Sequence, residues 1–243
     1  MERKQWDAAE AAFDEAMRAR PFNIWIVVER GDLYAHRGLW SEAAAYYARA
    51  VKGYPDVALL HERLAATRLL AGDLPGYRAA CAGMLERFQP IDDSSAATSV
   101  AYACSLAAEA VGDVQGLIRV SERATRSGAG NERGVGAVLF RAGRLEEALQ
   151  RFQKAHKVFP PRAWDWLFLT MLQSRLGHTR EARRSLQQAD QWIAEADKAP
   201  SGTENEGPRW SNLTEKPTIL VLRREAEAVL RFDPVFPADP FAP

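Results

Sequence analysis

Residues 24–57 read IWIVVERGDLYAHRGLWSEAAAYYARAVKGYPDV. Two helical stretches meet at Gly38 in this segment. In the second, Ala43, Tyr47 and Ala50 recur at i, i+4 and i+7, so they share one helix face. Two antiparallel helices joined by a short turn approach closely only where a side chain is small, and Ala43 supplies that place. Tyr47 fills the space one turn on. Gly38 accepts the left-handed geometry that ends a first helix. Pro55 stops the second helix and starts the next unit.

The same frame recurs along the chain. Glycines in turn context stand at Gly38, Gly72, Gly112, Gly143 and Gly177, roughly 34 residues apart, with a longer interval before Gly112. Five residues after each comes Ala43, Tyr77, Leu117, Ala148 or Ala182. Then come Tyr47, Cys81, Ser121, Phe152 and Leu186, and after them Ala50, Met84, Ala124, Ala155 and Ala189. Pro160 closes a unit as Pro55 does, and Ala9, Phe13, Ala16 and Pro21 fit the second half of a preceding one. Tyr77 and Leu117 replace the small crossing residue, so the second and third units rest on phase alone.

Composition agrees with a folded helical chain. The 243 residues are 47% hydrophobic and carry 32 basic and 32 acidic side chains. Zero formal net charge gives no whole-molecule attraction to nucleic acid or anionic membrane. Alanine, leucine, arginine and glutamate favour helix, and strict strand-like alternation is missing. No apolar run is long enough for a membrane span and no leader is visible. Two cysteines, Cys81 and Cys104, lack metal or redox spacing and fit buried reduced thiols in a reducing, cytoplasmic compartment.

With its small crossing residue, aromatic one turn later, second alanine and closing proline, the sequence resembles the tetratricopeptide repeat (TPR) family. The resemblance implies an all-α fold, a TPR-like right-handed α-solenoid of stacked helical hairpins with a C-terminal capping helix. The solenoid is expected over residues 1–200. It divides into a half repeat at 5–21 and repeats at about 24–57, 58–91, 96–128, 131–161 and 163–196. A polar loop at 201–216, an amphipathic capping helix at 217–232 over the last repeat, and a Pro-rich tail at 233–243 complete the expectation. Opening on a second-type helix suggests a piece of a longer protein or a divergent first repeat. In style the array resembles modules of large bacterial multidomain proteins.

In that family the first helix of each unit lines a concave groove. Carried over by phase, the resemblance implies a partner-binding groove of Trp25, Val28, Asp32, His36, Glu62, Leu69, Tyr102, Glu109, Arg133, Phe140, Arg141, Trp164, Met171 and Arg175. Leu59 of the second unit falls on the same ladder. For each aromatic the alternative is simple packing between neighbouring first helices. The family's clamp for chaperone tails needs lysine and asparagine where Val28 and Asp32 stand, so that ligand is disfavoured.

Other motifs do not carry chemistry. Gly128 to Gly136 imitates a phosphate loop but lacks a preceding strand and a Gly-Lys-Ser/Thr. Arg30-Gly31-Asp32 falls within a helix. His36, His61, His156 and His178 have no metal spacing. Asn212-Leu-Thr is a sequon in letters alone. Arg141, Arg144, Arg151, Lys154 and Lys157 form a basic run, interrupted by Glu146 and Glu147, that reads as a solvated helix face.

The function expected is therefore a protein–protein interaction scaffold with a protein or peptide ligand, no catalytic residues, no metal and no cofactor. The alternative is a regulatory or substrate-recruiting TPR segment of a larger kinase or WD40 protein. An RNA-binding helical repeat stands third.

Overall fold

The computed structural model of the chain describes residues 3–20, 23–128, 131–198 and 214–231. These form helices and turns, with no strand among the described residues. The helices are α1 (Arg3–Ala19), α2 (Ile24–His36), α3 (Trp40–Gly53), α4 (Ala58–Leu70), α5 (Leu74–Phe88) and α6 (Ser94–Ser105). Beyond them come α7 (Val114–Ala124), α8 (Glu132–Arg141), α9 (Leu145–His156), α10 (Ala163–Arg175), α11 (Thr179–Ala196) and α12 (Glu215–Arg231). They pair as α2/α3, α4/α5, α6/α7, α8/α9 and α10/α11, five hairpins preceded by the lone α1. The first helices α4, α6, α8 and α10 pack on one another in sequence and form one layer of an α-solenoid. Pro21, the segment 201–213 and the tail from 232 lie outside the described residues.

The repeat frame is visible in burial. Ala43, Tyr77, Ala148 and Ala182 at the crossing position are fully buried, as are Ala50, Met84, Ala155 and Ala189 seven residues later. Gly31 and Gly136 explain how close a hairpin comes. A Cβ on Gly31 would stand 3.0 Å from the Tyr47 ring, and one on Gly136 3.0 Å from the Phe152 ring and 3.3 Å from the Ala148 carbonyl. The aromatic therefore occupies the room that glycine leaves. Where no aromatic stands, the corresponding positions are Ala65 and Cys81 in the second hairpin and Ser105 and Ser121 in the third, all fully buried.

Turns between first and second helices repeat as well. Gly38, Gly72, Gly143 and Gly177 take positive φ of 71°, 76°, 78° and 80°. The third hairpin departs from the expected ladder: Gly112 does not take that conformation, and Glu109, at φ 55°, does. The cause lies in the preceding hairpin. The buried Tyr77 hydroxyl donates to the Ala103 carbonyl at 2.8 Å, and the Ala107 N–H donates to the same hydroxyl at 3.1 Å. In a continuing helix those two backbone groups would bond each other. Tyr77 stands between them, α6 stops at Ser105, and a long turn runs to α7.

Asp73, Asp93 and Asp113 cap α5, α6 and α7, each accepting from a backbone N–H of the first turn, such as Gly76 to Asp73 at 2.9 Å. At the N-terminal end α1 docks on α2 through polar and aromatic groups. Arg30 bridges Glu10 and Asp14, and Trp6 meets Tyr34 edge-on at 5.2 Å. Cys81 and Cys104 are free, buried and adjacent across α5 and α6, and the Cys81 thiol beside it, together with burial, pushes the Cys104 thiol well up.

The expected capping helix forms, but it covers more than the last repeat. A sixth first helix would touch α10 and α11 alone. α12 packs on both, and also reaches α4 across the first-helix layer. Thr218, Ile219, Leu222 and Ala226 are its buried residues.

Candidate partner-binding groove

The sequence-derived groove positions divide into three groups. Phe140 and Met171 do not face an open groove and are corrected to core, both at 0% exposed. The reason is the contact between adjacent first helices: Phe140 meets Phe168 of α10 edge-on at 5.7 Å. Val28, at 3% exposed, sits in the core cluster with Leu60 and Leu64 and also lines the cavity at the starts of α2 and α4. Glu109 is likewise displaced, because α6 ends early. It lies in the turn and pairs with Arg78 at 2.7 Å.

A second group stays open at the N-terminal end. Trp25 is 59% exposed, Leu59 46% and Tyr54 45%. Trp25 and Tyr54, with Ile24, Val28, Val57 and Leu60, line an apolar cavity of about 140 Å³ that Asn23 also borders, where α2 and α4 begin, and Leu59 stands outside that lining. Large apolar side chains grouped on a surface mark a contact face. His36 is exposed at the far end of α2. Asp32 is fixed rather than free: Arg63 grips both its oxygens, at 2.7 and 2.9 Å, and the Tyr47 hydroxyl donates to it. Burial and that carboxylate push the Tyr47 phenol well up. Leu69 is half-buried against the core.

The third group lies beneath or beside α12. Tyr102 and Thr218 hydroxyls are 3.3 Å apart, and Tyr102 stacks near Trp164 with ring centres at 6.2 Å. Arg141 forks onto Glu225 and donates from Nε to the Ser105 carbonyl at 2.9 Å. Ile219 and Glu215 of α12 join Thr98, Tyr102, Arg133 and Trp164 around a cavity of about 180 Å³. Arg133 is held by the fully buried Asp165 at 3.4 Å. Arg175 is exposed, with its guanidinium 4.8 Å from the Phe140 ring centre, a cation–π contact. Glu62 adjoins this region. Burial pushes its carboxyl up, opposed by the Ser99 hydroxyl and Arg63.

Sequence reasoning missed the α12 contributors Thr218, Ile219, Leu222 and Glu225, and also Tyr54. The spacing of Ile219, Leu222 and Ala226 at i, i+3 and i+7 marks a buried stripe, but it does not say what the stripe rests on.

The basic run loses most of its free charge in the fold. Arg151 bridges Glu122 at 2.6 Å and Glu132 at 2.7 Å, Lys154 also pairs with Glu132, and Arg144 binds Glu147. Burial opposes ionisation of Glu132, yet the Lys154 and Arg151 cations outweigh it and hold the carboxyl below its usual range. Such a paired face offers little to a phosphate backbone. Among the described residues no cluster of His, Cys, Asp or Glu has the form of a metal site, and no helix is long and apolar enough to cross a membrane.

The model of the tetratricopeptide repeat family matches residues 1–58 and, in an overlapping frame, 28–89. No curated protein matches the chain. Among solved structures, a thermophilic TPR protein of Thermus thermophilus is similar at 17% identity, covering 85% of this chain and 98% of that one with a TM-score of 0.52. Yeast Tom70 covers 97% of this chain at 15% identity and a TM-score of 0.45, and the chain spans 46% of its length. YrrB, described as a TPR protein with an unusual peptide-binding site, is 14% identical, with 74% of this chain and 91% of that chain covered and a TM-score of 0.43. The first is a likeness of fold, and the other two superpose too loosely to say more.

Proposed function

We propose that this chain, a tetratricopeptide-type repeat protein, is a protein-interaction scaffold that receives a segment of a partner protein on its first-helix layer. The observation that carries the reading is the pair of exposed aromatics Trp25 and Tyr54 on an apolar cavity where α2 and α4 begin, with Leu59 also exposed in the first turn of α4. These side chains are about half exposed, so covering what remains in water would recover roughly 1 kcal/mol for each. A partner that covers them gains that free energy. Extended and helical segments both bind such layers through a few anchors.

Site-specific photocrosslinking tests the reading. A benzophenone side chain at Trp25 or Leu59 should trap a discrete partner in cells. The same group at Arg49 or Glu86, exposed on second helices α3 and α5, should trap none. Adducts from the second-helix positions alone would move the contact face to the other layer.

A further inference from the structure

α12 already treats the first-helix layer as a helix-binding surface. Its apolar face, Ile219, Leu222 and Ala226, is buried there. Its carboxylates meet cations of the layer, Glu225 on Arg141 and Glu215 on Arg162 at 3.0 Å. Lys216–Asp197 and Arg223–Asp190, both at 2.7 Å, tie its flank to α11 and the residue just after it.

α12 is less deeply buried than the helix below it. It buries four of 17 residues, whereas the 13-residue α10 on which it rests buries nine. Val229 and the Thr218–Tyr102 contact add to the hold, and the Lys216–Asp197 and Arg223–Asp190 pairs are partly exposed, where salt screens them. Segments with few buried apolar contacts open before the rest of a fold. α12 also touches α4, whose first turn carries the exposed Leu59.

We infer that α12 is a resident stand-in for the partner, and that the occupant exchanged for it is an amphipathic helix of the same pattern. This rests on the first-helix layer being the partner face. The pattern is two aliphatic side chains three residues apart, a carboxylate three residues after the second, and a small residue next to that carboxylate, as Ile219, Leu222, Glu225 and Ala226 present them. The carboxylate answers Arg141. The small residue allows close approach on the buried face of the helix. Resident α12 lowers the apparent affinity for the partner by the fraction of time it is seated.

The test uses the full chain and a fluorescein-labelled peptide of residues 214–231, read by anisotropy. The wild-type chain should bind it weakly. A chain with Ile219→Asp and Leu222→Asp, whose own α12 cannot dock, should bind it at least roughly tenfold more tightly. Adding Arg141→Glu should weaken that binding, and a Glu225→Arg peptide should restore it. Equal affinity for the two chains, or no recovery with the swapped charges, overturns the inference. Hydrogen exchange on the wild-type chain decides independently of how the variants fold. Amides of α12 exchanging at least roughly tenfold faster than those of α10 support it, and equal protection overturns it. A peptide-competable dimer in light scattering would assign the bed to a second copy's α12 and overturn the partner assignment. Photocrosslinking at Trp25 and Leu59 fails or succeeds separately, so a lost contact face is distinguished from a fixed α12.

Discussion

Arg141 at the end of α8 forks onto Glu225 of α12, with Nη2 2.8 Å from Oε2, although 84 residues separate them. The Arg141 side chain is 8% exposed and that of Glu225 30%. The pair is therefore a sheltered, two-pronged contact that fixes where α12 lies on the layer.

Truncating either member should be costly. Glu225→Ala leaves a nearly buried guanidinium with one partner fewer, and a loss of about 1–3 kcal/mol is expected. Arg141→Ala should cost a similar amount, and the double variant less than the sum. Chemical denaturation of the four chains measures the coupling, which should change little as salt is raised because the pair is sheltered.

Tyr77→Phe tests why the third hairpin is irregular. Without the hydroxyl, the buried Ala103 carbonyl and the Ala107 N–H lose their shared partner, at a cost of about 1–3 kcal/mol. Denaturation midpoints report the loss, and the Ala107 amide should exchange faster than in wild type.

Two glycine substitutions should act in opposite directions. Gly136→Ala puts a methyl against the Phe152 ring and a backbone carbonyl, and overpacking of this kind costs about 1–3 kcal/mol. Gly83→Ala adds a methyl within α5 where nothing stands within 4 Å, and should gain about 0.5–1 kcal/mol. Melting curves of the two variants settle the signs.

Glu62 gives a pH-dependent prediction. Burial raises its folded pKa above the ordinary carboxyl value, so the folded chain holds the proton more tightly than the unfolded chain does. Its contribution to stability is full below the unfolded pKa and is lost as pH rises through the folded one. Glu62→Gln stays neutral throughout. The variant should match wild type at about pH 4 and be the more stable of the two at about pH 8. Melting temperatures across that range check the divergence.

Much of this was legible in the sequence where a side chain answers a strict local demand. Ala43, Ala148 and Ala182 are small because two helices cross there, and Gly38, Gly72, Gly143 and Gly177 turn left because a first helix ends there. Gly112 misled, since a hydroxyl from another hairpin decides where α6 stops. The groove was harder to read. Phase places Val28 and Trp25 alike on a first helix, but the proximity of the neighbouring helix buries one and leaves the other in water. The pattern of α12 announces a buried face and leaves its bed unnamed, because the bed is assembled from helices far away in the chain.

Hydrogen exchange on the full chain with and without a crosslink-identified partner tests the central claim most directly. The account predicts new protection along the starts of α2 and α4, accompanied by faster exchange throughout α12. New protection confined to the second helices α3, α5 and α9, with α12 unchanged, would contradict it.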